Sequence, residues 1–320
     1  MLKVGILGAA AIAPAAIIDP ARRRTDVTVT AIASRGIERA RDFARQHDIA
    51  TAYGSYEELL ADPAIDLVYV ALPPSAHAEW SIAALQAGKD VLCEKPFAVN
   101  GAEARMMADA AAATGRRLVE AFHDHYHPLA ARTKVLASML GRLISVEGVF
   151  LARNPFTPGA LRHEPALGGG ALMDLGVYPL HGIRNLLDEE PVGATAVATL
   201  NPAGADESIE AELAFPSGVT GIVRASMSAD FENWLRVVGE RGELRVSGVV
   251  FPSKGHSISY TIDGIERTET VAGRSTYDHQ LEALLSGIAT GELLPTEGHD
   301  SVSTMDSVDM IYRAAGVRLG

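Results

Sequence analysis

Over about the first 120 residues, short β-rich runs alternate with helix-patterned stretches, and nothing else in the chain constrains its fold as strongly. Leu2 to Leu7 leads into the small-residue turn Gly8-Ala9-Ala10-Ala11-Ile12-Ala13. Val27 to Ala33 is followed by a helical pattern from Ile37 to His47, and Leu67 to Ala71 by one from Ala76 to Ala87. The β-rich runs lack polar alternation, as strands do when helices cover both faces, so the expected sheet is parallel and doubly wound, an α/β arrangement. Val91-Leu92-Cys93 and Leu118 to Ala121 supply two later strands. Between them, Ala102 to Ala113 reads as a helix entered from Asn100, a good cap.

Beyond about residue 143 strands instead follow one another across turns. Ala211 to Phe215 and Val219 to Ala225 flank Pro216-Ser217-Gly218, and Trp234 to Val238, Glu243 to Val249, Ser257 to Ile262 and Glu266 to Val271 continue the pattern. This predicts an α+β part with a large, mostly antiparallel sheet. Helical patterns from Tyr277 to Thr290 and Ser301 to Ala315 close the chain, the last expected to pack back on the first domain. A chain of 320 residues exceeds the usual size of one hydrophobic core, so two domains are expected, 1–122 and 123–320.

A formal net charge of −12 argues against a nucleic-acid partner, because that affinity rests on lysine and arginine neutralising phosphates. No stretch reaches the 18 or so apolar residues that span a bilayer, so no membrane role is expected. The single cysteine, Cys93, forms no internal disulfide. The start of the chain superficially resembles a signal peptide, but Gly5, Gly8 and Pro14 interrupt the apolar run, which reads better as strand, turn and helix. A cytoplasmic protein is expected.

The turn after the first strand approximates Gly-x-Gly-x-x-Gly/Ala, in which small residues let a pyrophosphate approach a helix N-terminus. Gly8, Ala10, Ala11 and Ile12 are therefore candidate dinucleotide contacts, the alternative being a snug strand-to-helix connection. Ala33-Ser34-Arg35 stands where an NAD site usually offers an acid to the ribose 2′-hydroxyl. Here Ser34, Arg35 and, one turn on, Arg39 suit a 2′-phosphate, which favours NADP, with NAD the alternative. Arg39 also reads as an ordinary solvated helix charge. Glu94-Lys95-Pro96 follows the Val91-Leu92-Cys93 strand at the carboxyl edge, where ligands bind in such sheets. Read alone, Lys95 is either a surface charge or a group that polarises or deprotonates a hydroxyl.

Four segments in order, Gly8 to Ala13, Ala71-Leu72-Pro73-Pro74-Ser75-Ala76-His77, Cys93 to Pro96, and Gly168-Gly169-Gly170-Ala171-Leu172-Met173-Asp174-Leu175-Gly176-Val177-Tyr178, resemble the glucose-fructose oxidoreductase, inositol dehydrogenase and rhizopine-catabolism family, Gfo/Idh/MocA. The resemblance covers nearly the whole chain. Alanine in the turn and tyrosine at 178 resemble the branch holding dihydrodiol and NADP-linked xylose dehydrogenases. It implies a Rossmann domain followed by an open-sheet domain whose outer face forms homodimers or homotetramers. It also implies that Leu72, Pro73, His77, Glu94 and Lys95 line the nicotinamide side, with Pro96 a candidate for a cis bond.

Asp174, Tyr178 and His181 fall at i, i+4 and i+7, one face of a helix starting after the glycine run. Hydride transfer needs a group to carry the hydroxyl proton, and a phenol does so if a cation lowers its pKa. The resemblance makes Tyr178 the acid/base, Lys95 that cation and Asp174 the group orienting substrate hydroxyls. His181 is expected at the substrate, with a share in proton transfer left open. His123-Asp124-His125-Tyr126-His127-Pro128 has the look of a metal site, since alternate residues of an extended segment share a face, but no metal is expected. His123 and His125 are candidate substrate contacts instead, with His127 and Pro128 at a helix entry. Arg162 belongs to a loop expected over the cleft.

These readings lead to an oxidoreductase moving hydride between nicotinamide and a carbinol or carbonyl carbon of a sugar, cyclitol or diol. The alternatives are a non-catalytic dinucleotide-binding regulator and an enzyme recycling tightly bound NAD.

Overall fold

Val4, Ile6 and Leu7 are fully buried and place β1 (Leu2–Leu7) at the centre of a six-stranded sheet in the computed structural model, which describes residues 1–317. The other strands are β2 (Val27–Ala33), β3 (Thr51–Tyr53), β4 (Leu67–Val70), β5 (Asp90–Cys93) and β6 (Leu118–Glu120). All pair in parallel in the order β3-β2-β1-β4-β5-β6. This is the doubly wound dinucleotide-binding order, with its switch point between β1 and β4. Every residue of β4 is buried, as expected of a strand covered on both faces.

A π-helical segment, Pro14–Ile18, runs into α1 (Asp19–Arg22); α2 (Ile37–Gln46), α3 (Tyr56–Leu60), α4 (His77–Gln86) and α5 (Gly101–Thr114) follow the later strands. Asn100 caps α5: its Oδ1 accepts from Glu103 N at 2.9 Å, while Glu103 Oε2 accepts from Val99 N. Two orphan amides at the helix start are thereby satisfied.

The remaining elements are α6 (Pro128–Ser138), β7 (Leu143–Leu151), α7 (Val177–Leu187), β8 (Gly193–Leu200), β9 (Asp206–Ala214), β10 (Thr220–Ser226), β11 (Glu232–Gly239), β12 (Gly242–Ser247), β13 (Ser257–Ile262), β14 (Ile265–Glu269), α8 (Thr276–Thr290) and α9 (His299–Ala314). The strands form an eight-stranded sheet in the order β14-β13-β12-β11-β7-β10-β9-β8, antiparallel except where β7 meets β10. Burial alternates along β9 and β11, so one face is covered and the other open. On the covered side α7 lies against β7 and β10.

The chain divides into two compact units. One joins Met1–Ala121 to Gln280–Val302, and the other Phe122–His279 to the residues from Ser303 on. The sequence pattern predicted both sheets and a helix entered at His127-Pro128, but not β3, α3, β7 or β8. β3 has three residues and α3 five, too few to show a period, and β8 is a run of small residues around Val197.

Replacing Asn100 by Ala should lower stability by about 1 kcal/mol through loss of the cap. Urea unfolding would show this as a lower midpoint at an unchanged slope, and an unaltered midpoint would refute the capping role.

Candidate functional site

In the first unit, Gly8 turns out of β1 with φ +101°, and its amide donates to Ala33 O at 2.9 Å. A Cβ there would stand 2.5 Å from Ala71 O, so only glycine allows the turn to lie against the end of β4. Ala11 and Ile12 are exposed at the start of the following helix. At the end of β2, Ser34 is buried and its hydroxyl donates to Gly36 O at 2.8 Å. Arg35 is exposed, and among the described residues its guanidinium makes no hydrogen bond or ion pair. Arg39 Nη2 donates to Ala9 O at 3.1 Å, which ties the two turns together. Burial raises the Tyr56 phenol, and the charges of Arg35 and Arg39 oppose that rise.

The lysine loop of the same unit is pinned from several sides. Tyr69 Oη donates to Glu94 Oε1 at 2.5 Å, and Phe97 N donates to Glu120 Oε1 at 3.0 Å. The His77 ring is buried, with Nδ1 2.9 Å from Pro96 O and Nε2 2.9 Å from Leu72 O, joining the Leu72-Pro73 turn to the loop. Burial lowers the His77 pKa, opposed by those carbonyls, and burial raises the Glu94 carboxyl, opposed by the Tyr69 hydroxyl and the Lys95 charge. The Lys95-Pro96 bond is cis. Tyr69 and Glu120 escaped the sequence reading, because a strand tyrosine and a strand glutamate carry no local mark of what they hold.

In the second unit, the segment carrying Asp174 and Tyr178 opens with a π turn, Leu172–Gly176, that continues as α7. Asp174 lies within the π turn, and Tyr178 and His181 follow on α7, where both rings pack on Phe122. Arg162 Nε donates to Asp174 Oδ2 at 2.7 Å. Tyr178, 7% exposed, has its hydroxyl 3.2 Å from His123 Nε2. His181 stacks on Phe122, with ring centroids 3.9 Å apart at 9°.

A buried carboxylate caps this segment. Asp206 Oδ2 accepts from Leu172 N at 2.7 Å, and its Oδ1 accepts from Tyr312 Oη at 2.8 Å. Gly170, at φ +140°, has no room for a side chain, since a Cβ would stand 2.0 Å from Asp206 Oδ1. The glycine run was the only trace of this arrangement in the sequence. Burial pushes the Asp206 carboxyl up to about 6, with the Leu172 amide and Tyr312 hydroxyl acting against it.

The histidine-rich segment is a 3-10 turn, His123–Tyr126, not an extended run, so alternate residues do not share a face. His123 faces Thr276 and Tyr178, and His125 lies 5.4 Å from the His181 ring. His127 caps α6, accepting from Leu129 N at 3.1 Å. Burial, with His279 and His256 nearby, pushes the His127 pKa down to about 4 and keeps the ring neutral. Among the described residues, no group of three or more His, Cys, Asp or Glu side chains could hold a metal ion. A cavity of about 280 Å³ opens beside Tyr178, His125 and His181, and Leu129, Val149, Pro179, Leu235 and Val250 make its lining largely apolar.

The model of an oxidoreductase family with an NAD-binding Rossmann fold matches residues 2–122, and that of the GFO/IDH/MocA C-terminal domain matches residues 129–245. The chain belongs to the Gfo/Idh/MocA oxidoreductase family. It is 36% identical over 318 residues to D-xylose 1-dehydrogenase (NADP(+)) 2 of Haloferax volcanii, covering 98% of this chain and 97% of that protein. Trans-1,2-dihydrobenzene-1,2-diol dehydrogenase of Bos taurus is 36% identical over 307 residues, 92% of this chain and 90% of that one. A solved 3-ketoreductase of Actinomadura kijaniata, in complex with NADP and TDP-benzene, superimposes with a TM-score of 0.89 at 27% identity, covering 98% of this chain and 97% of that one. No described helix is long and apolar enough to cross a membrane.

For this Gfo/Idh/MocA member, the Asp206 cap makes stability depend on pH. Its folded pKa of about 6 lies above the ordinary 3.8, so the folded state holds the proton more tightly. That contribution is complete below about pH 4 and is lost as pH rises through about 6, a change worth about 3 kcal/mol. Asp206→Asn lacks this titration. Its unfolding free energy should therefore gain on that of the unsubstituted protein by up to about 3 kcal/mol between pH 4 and pH 7. A difference constant across that range, in urea unfolding at each pH, would refute the buried-acid assignment.

Proposed function

We propose that this oxidoreductase prefers NADP and moves hydride between nicotinamide and a carbinol or carbonyl carbon of a sugar, cyclitol or related diol. The observation that carries the reading is Tyr178, buried and lining a largely apolar cavity, with Asp174 one turn back on the same helical segment. A largely apolar lining with a few polar groups suits a diol or hydroxyl borne on a carbon skeleton. The names of the Haloferax and Bos relatives, a xylose dehydrogenase and a dihydrodiol dehydrogenase, point the same way.

Residues 1–122 are assigned to the cofactor. The Gly8-to-Ile12 turn fits a pyrophosphate, because its small residues end at a helix start with Ala11 and Ile12 exposed. Arg35, without an ion-pair partner among the described residues, and Arg39 fit a 2′-phosphate at the end of β2, where no acid stands. Leu72, Pro73, His77, Glu94 and Lys95 are assigned to the nicotinamide side. Bound NADP supplies the hydride acceptor.

Residues 123–320 are assigned to substrate and subunit contacts. Tyr178 takes up or returns the hydroxyl proton, Lys95 is the cation that favours its ionised form, and Asp174 orients substrate hydroxyls with help from Arg162, His125 and His181. Retention of Lys95, Asp174 and Tyr178 together argues against a non-catalytic regulator. The open face of the eight-stranded sheet, where Arg236 binds Glu243 and Arg245 lies 3.9 Å over the Trp234 ring, is assigned to a homodimer or homotetramer contact. The free, buried Cys93 suits the reducing cytoplasm.

The reading is tested by NADPH formation with D-xylose, D-glucose, myo-inositol and trans-1,2-dihydrobenzene-1,2-diol. Turnover of at least one is expected, and tight NADP binding without turnover of any would overturn it. Tyr178→Phe should lower kcat by about 100-fold or more while leaving NADP binding intact. In Arg35→Asp, the kcat/KM ratio of NADP over NAD should fall by about 10-fold or more; an unchanged ratio removes Arg35 from 2′-phosphate recognition.

A further inference from the structure

The His123 ring is 2% exposed and both of its nitrogens are engaged. Nδ1 lies 2.8 Å from Thr276 Oγ1 and Nε2 lies 3.2 Å from Tyr178 Oη. Tyr277 packs on the ring at 4.1 Å between centroids and Phe251 at 5.6 Å, so the imidazole is walled by aromatic rings. A phenol hydroxyl can donate to a ring nitrogen or accept from a ring N–H, and the ring's tautomer decides between the two. With the ring proton on Nδ1, donating to Thr276 Oγ1, Nε2 is the acceptor of the Tyr178 hydroxyl.

We propose that His123 is the proton-holding partner of Tyr178, a positioning residue that acts on the reaction through the phenol. This rests on the reading of Tyr178 as the acid/base. In the oxidising direction, the substrate C–H electrons leave as hydride to the oxidised nicotinamide while the substrate hydroxyl proton passes to Tyr178 Oη. The phenol's own proton moves at the same time to His123 Nε2. The one proton the oxidation releases thus resides on His123 as imidazolium, whose Nδ1–H stays bonded to Thr276. Tyr178 gives up its proton as it receives one, so His123 adds to the help that Lys95 gives the phenol and little phenolate charge builds up during hydride transfer.

The fold places the partner precisely where such a relay needs it. Thr276 is the first residue of α8, and Phe122, beside His123, packs edge-on against Tyr178 at 5.8 Å. The charged and titratable groups on the surrounding segments include Asp124 and His125 on its own turn; Lys254, whose ammonium is 4.8 Å from the Phe251 ring; Arg274, Asp278, which accepts from Ser275 Oγ at 2.9 Å, and His279 around Thr276; and His181 and Asp174, the latter paired with Arg162, on the Tyr178 segment. His123 is therefore the imidazole in direct contact with the phenol, and its protonation at low pH would close the acceptor and slow oxidation.

Two measurements test this. In protein labelled with 15N-histidine and saturated with NADP, long-range 15N–1H spectra should show His123, assigned by its loss in His123→Phe, as the neutral Nδ1–H tautomer. A protonated Nε2 at neutral pH overturns the proposal without any substrate. The second is the pH profile of kcat/KM with D-xylose and trans-1,2-dihydrobenzene-1,2-diol. His123→Phe keeps a ring in place but has no acceptor, so activity should fall by about 10- to 100-fold near neutral pH and recover about tenfold per pH unit toward the phenol's own pKa, with KM for NADP unchanged. A loss of the same size at every pH would mean a packing role only and overturns the relay. Thr276→Val, which deletes one hydroxyl, should move the acid limb in the same direction by a smaller amount, and it carries the kinetic test should His123→Phe misfold. Tyr178→Phe separates the two ideas. Undiminished activity there defeats the tyrosine assignment, whereas an inactive Tyr178→Phe beside a pH-invariant His123→Phe defeats only the histidine proposal.

Discussion

The carboxylate of Asp206 holds the start of the segment from which the second unit's chemistry is built. It receives the Leu172 amide and the Tyr312 hydroxyl where it is buried, so its hydrogen bonds are stronger than surface ones and its charge is costly. A helix N-terminus favours a negative charge, which offsets part of that cost. The result fixes the first turn of the helix against β9, and from that anchor the positions of Asp174 and Tyr178 follow. The glycine before it is a consequence of the same contact, since any side chain at Gly170 would collide with the acid.

The first unit uses the same device on a loop. Glu120 receives Phe97 N, His77 joins Pro96 to Leu72, and Tyr69 holds Glu94, so a segment with no regular structure of its own is held by side chains reaching out of strands and a helix. Lys95 stands in the middle of it. Loops carry function best when a rigid scaffold positions them, and here the scaffold's contribution can be named atom by atom. The family membership accounts for which reactive residues are present; these supporting contacts account for where they are held.

Much of this was legible in the sequence. Five of the six strands of the parallel sheet announced themselves because burial removes polar alternation, and the strand from 257 to 262 was bounded by its turns. The cap at Asn100 was equally plain, being a local rule with a local partner. What stayed hidden was everything set by distant contacts. No pattern around position 206 reveals a partner at 312, and nothing near 123 points to Thr276. The π turn at Leu172–Gly176 was invisible for a different reason: its residues are good helix formers, and the extra residue in the turn is a tertiary outcome, not a propensity. The extended reading of the histidine segment failed because three histidines at alternate positions resemble a strand face, whereas a 3-10 turn sends each to a different neighbour.

The parallel contact between β7 and β10, within a sheet whose other pairs are antiparallel, also says something about how the molecule comes into being. Thr220 pairs with Ser145 and Ser226 with Leu151, so the middle of the sheet is stitched by residues about seventy-five positions apart. Hairpins such as β11 with β12, or β9 with β10, close through short turns and form early. The central seam must wait for a long loop to be ordered, and that loop includes the helix bearing Tyr178. On a ribosome, the helix would emerge well before the strand that completes its floor, and the part of the unit around Tyr178 would take shape only when the seam shuts.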